Sequence, residues 1–203
     1  MSNFRTRVKR SPRAVAGKRA QRAGRSAEDQ VLAMAALYLQ RGIAEVIKRY
    51  EPYARISKSA AGAWRGVYAG PAGPDFEIWL PGGKAGMIEM KSRDADRIAI
   101  SAIDPYQKAT LARLSRGGHL ALILVRLRER WFLIEYSEWE IEYRKSHNAE
   151  TLTQHGVEVL MSPEGPDYLS ALHTLLLTRG GYGYHISYII FHISYFIFHI
   201  SEF

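Results

Sequence analysis

Cysteine is absent from this chain of 203 residues, and its absence excludes several kinds of site at once. The chain can form no disulfide bond, no thiolate zinc site and no cysteine nucleophile. Its composition, 47% hydrophobic and 24% charged, is otherwise that of an ordinary soluble globular protein. A chain without cysteine suits a reducing compartment, so we expect a cytoplasmic protein, in the host cytoplasm if a phage encodes it.

Acidic residues are missing from the first 25 positions, which contain nine basic ones. The rest of the chain has 19 basic and 20 acidic residues, so the net charge of +8 comes from this segment. Because the segment has few large apolar residues, we predict a disordered basic arm over 1–25 that contacts DNA phosphates. A solubilising or targeting tail is the alternative. The predicted DNA contacts are Arg5, Arg7, Lys9, Arg10, Arg13, Lys18, Arg19, Arg22 and Arg25, with Arg55, Lys58 and Arg65 further along.

Long apolar runs are missing as well. No apolar stretch follows the early basic residues, which argues against a secretory signal. From His185 a seven-residue unit repeats as HISYIIF, HISYFIF and HISEF, a stretch that is short and His-interrupted for a membrane span. A histidine spacing of seven is also unusual for metal ligands. We therefore interpret 179–203 as a non-native or disordered repeat tail, and we expect no membrane association.

Between arm and tail, the patterns predict one domain over 26–178. Apolar periodicity indicates helices over 26–41, capped by Ser26, and over 105–116, with a short one capped by Ser137 and a last one over 167–177. Two alternating runs flank Pro81-Gly82-Gly83-Lys84, which is typical of a hairpin. The predicted strands are 75–80, 86–91, 119–127, 131–136 and 157–161. This order indicates an α/β fold with a mixed sheet.

The chemistry-bearing pattern is Gly73-Pro74-Asp75 followed by Glu89-Met90-Lys91. Glu89 and Lys91 are two residues apart, so on a strand both point to the same face, and the hairpin partner can bring Asp75 there too. Two carboxylates can hold a hard divalent ion such as Mg²⁺, and a lysine can position water or stabilise a phosphate transition state. The alternative is that Glu89 and Lys91 line the solvated face of an exposed strand.

Other carboxylates compete with this pair. Glu77 is a rival ligand on the same face as Asp75, although we expect it to form a salt bridge. Glu28, in the first helix, can supply a third carboxylate. Gly165-Pro166-Asp167 repeats the Gly-Pro-Asp tripeptide without a following Glu-x-Lys, so we predict a turn that caps the last helix.

Several segments in this order resemble the RecU-type Holliday-junction resolvases of the PD-(D/E)xK nuclease superfamily. Gly24-Arg25-Ser26-Ala27-Glu28 is similar to their first helix, and the Asp75 and Glu89-Met90-Lys91 segments match the core nuclease motif. Pro105-Tyr106-Gln107 is similar to their glutamine-bearing helix, and HLALILVRL to the strand that follows. Tyr143-Arg144-Lys145-Ser146 and Asp167-Tyr168-Leu169 also resemble closing segments of the family.

The resemblance implies a restriction-endonuclease-like α/β core with a central mixed β-sheet flanked by helices. It also implies a homodimeric, Mg²⁺- or Mn²⁺-dependent endonuclease that cuts branched DNA, above all four-way junctions, by paired symmetric nicks. The implied catalytic set is Glu28, Asp75, Glu89, Lys91 and Gln107, and the implied metal ligands are Asp75, Glu89, the Met90 carbonyl and Glu28.

Two departures accompany the resemblance. Only residues 55–72 can supply the family's long stalk, so it is much shorter here, and Gly-Pro-Asp is closer to the wider superfamily. The features are those of a compact, phage-like or archaeal-like form. The alternatives are another restriction-like or repair nuclease of the superfamily, or a DNA-binding protein with a vestigial nuclease site.

Overall fold

The computed structural model describes residues 12–50, 53–58, 64–68, 72–140 and 145–178. Within these ranges, residues 12–25, 53–56, 58 and 64–68 are described by their backbone alone. None of the helices in the described ranges combines the length and the apolar character needed to cross a bilayer.

The first helix is followed by six strands, and helices and strands are mixed in the second half of the chain, after a 3₁₀ turn at Ile100–Ala102. The helices are α1 (Pro12–Gln40), α2 (Pro105–Arg116), α3 (Tyr136–Trp139), α4 (Ala149–His155) and α5 (Tyr168–Thr178). The strands are β1 (Glu45–Lys48), β2 (Tyr53–Lys58), β3 (Trp64–Tyr68), β4 (Phe76–Trp79), β5 (Ala85–Arg93), β6 (Arg97–Ala99), β7 (Leu120–Leu127), β8 (Arg130–Glu135), β9 (Ser146–Asn148) and β10 (Val157–Val159).

Six strands form the central sheet in the order β1-β4-β5-β7-β8-β10. The β5–β7 pair is parallel, and α2 lies in the crossover between these two strands; every other pair in this sheet is antiparallel. Parallel neighbours need such a crossover because a tight turn cannot connect them. Strands β2 and β3 pair separately, as do β6 and β9.

Both faces of the sheet are covered. Helices α1 and α5 pack on one face, over the side chains of Ile88, Leu122 and Leu124 among others. Leu111 of α2, Trp139 of α3 and Leu152 of α4 belong to the second core, on the opposite face. The apolar run in β7 alternates between these cores, which is why it contains almost no polar residue. The predicted α/β fold class, with a central mixed sheet flanked by helices, is confirmed.

The hairpin, the Pro105–Arg116 helix and the buried β7 strand lie where the sequence predicts them. Asp167 also behaves as predicted, because its Oδ1 accepts a hydrogen bond from the Ser170 amide, 3.3 Å away, at the start of α5. The strand predicted from Val157 is shorter than expected and ends at Val159.

The first helix differs from its prediction, because it begins at Pro12 and Ser26 lies inside it. Residues 12–25 contain four alanines and no internal proline, so nothing stops a helix there, and proline fits the first position of a helix. Part of the segment predicted to be a disordered arm therefore has helical backbone, and the predicted domain boundaries stay predictions.

Smaller differences occur later in the chain. Ser137 was predicted to cap a helix, but α3 begins before it at Tyr136, and the capping position is Glu135 without a side-chain hydrogen bond. Strands β6 and β9 and helix α4 had no prediction, because these short segments lie in polar stretches without a clear apolar pattern. The region expected to supply the shortened stalk contains the β2–β3 hairpin.

Candidate active site

The β4–β5 hairpin brings the two predicted carboxylates to one place. Phe76 pairs with Ile88 at the end of the antiparallel ladder, so Asp75 and Glu89 follow as the next opposed positions. Ile88 and Met90 belong to the core beneath α1. Glu89, between them, faces the opposite side of the sheet, towards α2.

Glu89 is the least ordinary residue of the site, since its side chain is fully buried in a strand flanked by other strands. Its Oε1 lies 2.5 Å from Lys91 Nζ. No described residue donates a hydrogen bond to its buried Oε2. The pKa of Glu89 is raised to about 8, because burial and then the nearby Asp75 charge raise it by more than Lys91 lowers it. A buried carboxylate with an unused oxygen is costly unless something else binds it.

Asp75 is held in place by the backbone of the opposite strand. The Met90 amide donates a 2.8 Å hydrogen bond to Asp75 Oδ2. Burial raises the pKa of Asp75, although this hydrogen bond and the Lys91 charge act in the other direction. The Asp75 charge in turn raises the pKa of Glu89, so a cation beside this pair would stabilise the ionised form of both carboxylates.

Lys91 is fixed by α2 as well as by Glu89. Its Nζ donates to Gln107 Oε1 at 3.3 Å. Gln107 is itself buried and is part of a capping box with Asp104 at the start of α2. The capping box fixes the amide oxygen that receives Lys91, so α2 sets the direction of the lysine.

Glu28 lies next to the site without joining the carboxylate pair. It forms an ion pair with Lys48 on β1. The charges of Glu28 and Lys48 both act on the pKa of Asp75, in opposite directions. Within the described ranges, no cluster of three or more histidine, aspartate or glutamate side chains has metal-binding spacing. Lys48 was missed by the sequence reasoning, because a lysine ending a short strand carries no local signal.

The donor set nevertheless suits a hard divalent cation. Asp75 and Glu89 offer carboxylate oxygens, one of them unused and buried, and the Met90 carbonyl follows Glu89 on the same strand. Oxygen donors of this kind fit Mg²⁺ or Mn²⁺. In this geometry Glu28 Oε2 is engaged by Lys48 rather than by the carboxylate pair.

The remaining predicted residues divide into two groups. Glu77, the rival ligand, is paired with Arg49, whose Nη1 lies 2.8 Å from Glu77 Oε1, as expected for a salt bridge.

The predicted DNA contacts fall outside the described residues, or outside the described side chains where the backbone is given. They are Arg5, Arg7, Lys9, Arg10, Arg13, Lys18, Arg19, Arg22, Arg25, Arg55, Lys58 and Arg65. Their contacts with DNA therefore stay predictions.

Comparisons with known proteins add a distant likeness among solved structures. No family model matches this chain, and no curated protein matches it. Among solved structures, it is similar to Hjc, a Holliday junction resolvase from the archaeal hyperthermophile Archaeoglobus fulgidus. The two are 20% identical with a TM-score of 0.37, and the match covers 58% of this chain and 85% of that one.

Proposed function

We propose that this protein is a metal-dependent DNA endonuclease. The supporting observation is the fully buried Glu89, whose Oε2 has no hydrogen-bond donor among the described residues, opposite Asp75 and beside Lys91. A structural salt bridge needs only one of these carboxylates. Two neighbouring carboxyl groups whose pKa values are raised by burial, with a lysine held against one of them, are an arrangement for binding a cation and acting on a phosphate.

In the proposed reaction, Asp75, Glu89 and the Met90 carbonyl would hold Mg²⁺ or Mn²⁺. Such an ion would supply a water molecule of lowered pKa and neutralise charge that develops on the phosphate. Lys91 Nζ, beside Glu89, would orient the water or stabilise the transition state at the phosphodiester. Gln107 keeps Lys91 pointed into the site. Glu28, with Lys48, completes the site at its edge, directly or through water.

The finer proposal is structure-selective cleavage of branched DNA, above all resolution of four-way junctions by paired symmetric nicks. Its support is the order of the sequence segments around Glu28, Asp75, Glu89 and Gln107. Paired nicks require two opposed active sites, so this proposal includes a homodimer. Repair or restriction-like cleavage of other DNA remains the alternative within the same chemistry.

The substitution Asp75→Asn tests the site. It removes a carboxylate charge but keeps the shape, so cleavage with Mg²⁺ should fall at least about 100-fold while DNA binding persists. The measurement is cleavage of labelled four-way, forked and linear duplex DNA. Glu77→Gln is the matched control, because it removes a carboxylate two residues away on the same strand and should leave cleavage within a few fold.

Unchanged cleavage by the Asp75→Asn variant would overturn the site. Symmetric nicks confined to the four-way substrate would support junction resolution, whereas equal cutting of linear duplex would contradict it.

A further inference from the structure

A cavity of about 340 Å³ opens beside Asp75 on the α2 side of the sheet. Asp75 forms part of its wall, so the cavity adjoins the carboxylate pair. Arg49 and Tyr50 lie on the β1 side, and Tyr106, Thr110 and Arg113 lie on α2. Ligand cavities begin at about this volume, so the space suits one small group rather than a duplex.

The two arginines make the wall of this cavity cationic. The Arg49 amide donates a 2.7 Å hydrogen bond to the Asp75 carbonyl, so its backbone is fixed beside the site. Its side chain is paired with the half-buried carboxylate of Glu77. Arg113 is exposed and forms no ion pair with any residue in the described ranges. The positive charges of these arginines are neutralised by few acidic side chains of the protein. Next to a proposed phosphodiesterase site, they are suited to bind a phosphate group.

An exposed aromatic ring completes the cavity. Tyr106, Thr110 and Arg113 follow one another at helical spacing, so they share one face of α2. The Tyr106 side chain is 47% exposed although it lies beside the buried Gln107. An aromatic ring next to a phosphate site offers a surface on which a nucleobase can stack.

We propose that this cavity holds one unpaired nucleotide of the DNA substrate, next to the phosphate that is cut. Arg49 and Arg113 bind its phosphate, and Tyr106 stacks on its base. The base must be unpaired or at a strand end, because within a duplex both its faces are covered by neighbouring bases. The inference rests on the proposed function and deepens it, since it gives a physical reason for preferring DNA that has an unpaired base at the branch over fully paired duplex.

The test measures binding in EDTA, so that no cleavage occurs. The probes are a fluorescein-labelled forked DNA, with unpaired nucleotides at the branch, and a fully paired duplex of the same length. Tyr106→Ala should weaken binding to the fork about tenfold and leave binding to the duplex within twofold. Tyr106→Phe keeps the ring and should bind the fork like the unaltered protein. 2-Aminopurine at the unpaired position should lose its stacking-dependent quenching only in the Tyr106→Ala variant.

The arginine arm of the experiment uses Arg113→Gln, which should weaken fork binding and reduce the slope of log K against log salt by about 1. Arg116→Gln is its matched control, because Arg116 is exposed on the same helix but lies outside the cavity. Circular dichroism melting establishes that each variant is folded.

The inference would be overturned if the Tyr106→Ala variant bound the fork as tightly as the unaltered protein. It would also be overturned if this variant lost equal affinity for fork and duplex. Equal weakening by Arg113→Gln and Arg116→Gln would overturn the phosphate assignment. These outcomes are independent of the cleavage test, because no metal is present. If cleavage proved not to depend on Asp75, the proposed nuclease site would be wrong, but the binding results would still establish a site for single-stranded DNA.

Discussion

Glu89 is an ionisable residue at a buried position that would suit a hydrophobic side chain. Its neighbours on β5, Ile88 and Met90, are buried in the core, and its partner on β7 is the buried Ile123. Lys91 compensates one of its oxygens, and the other has no described donor. A buried carboxylate in such a place keeps its proton until a cation replaces it.

This gives a prediction about stability and pH for the metal-free protein. Because burial raises the pKa of Glu89 to about 8, the folded state holds a proton that the unfolded state releases at its ordinary pKa of 4.5. The folded state thus binds more protons between these values, so the free energy of unfolding should fall as pH rises from about 5 to about 8.

Urea titrations at several pH values measure this effect, and Glu89→Gln is the control because glutamine does not titrate. The pH dependence should be smaller in that variant, and saturating Mg²⁺ should reduce it in the unaltered protein. An identical pH profile for both proteins would show that Glu89 is ionised in the folded state.

At the scale of elements, strand β5 connects the two halves of the site. It pairs antiparallel with β4, which presents Asp75, and parallel with β7, which leads back from α2 and its Gln107. The spacing between β5 and β7 is therefore what holds Lys91 within reach of Gln107. Gly86 pairs with Leu120 at the start of this parallel ladder.

Gly86→Ala should disturb this contact. A Cβ atom at Gly86 would lie 1.9 Å from the Leu120 carbonyl oxygen, which is backbone and cannot turn away. Overpacking of this kind typically costs about 1–3 kcal/mol of unfolding free energy. Gly73→Ala is the matched control, because a Cβ there meets nothing within 4 Å, and its effect should stay below about 0.5 kcal/mol. Denaturant titration compares the two, and equal stability would contradict the close approach.

At the scale of the whole molecule, the charges are segregated. The described domain carries the acidic residues of the site, whereas nine of the 28 basic residues lie in the first 25 positions. A cationic segment attached to a domain with nearly balanced charge can bind DNA phosphates along any sequence, while the site supplies the chemistry.

Removal of residues 1–11 tests this division, since it takes away four basic residues and leaves α1 intact. DNA binding should weaken, and the slope of log K against log salt should become less steep by up to about 4, because each phosphate contact contributes about 0.9. Fluorescence anisotropy over a salt series measures the slope. A full-length variant with glutamine at Arg5, Arg7, Lys9 and Arg10 separates charge from length, and an unchanged slope in both would show that the segment does not contact DNA.

The sequence by itself determined the pieces whose signals are local. Alternation and a Pro-Gly-Gly turn were enough for the β4–β5 hairpin, and apolar periodicity was enough for α2 and β7. The same local signals failed for the start of α1, because a weakly helical basic segment gives no clear boundary. The proximity of Asp75 to the Glu89-Met90-Lys91 segment could also be predicted from the sequence, since strand alternation and a hairpin determine which residues share a face.

Only the tertiary structure decided what surrounds those residues. The burial of Glu89, the contact of Lys91 with Gln107, the pairing of Glu28 with Lys48 and the cavity lined by Tyr106 and Arg113 all join elements far apart in the chain. They depend on a parallel strand pair that forms across the α2 crossover, and on helices packed against both faces of the sheet. Such contacts have no local signature, because their stability comes from packing and desolvation in the assembled fold rather than from the propensity of any one segment.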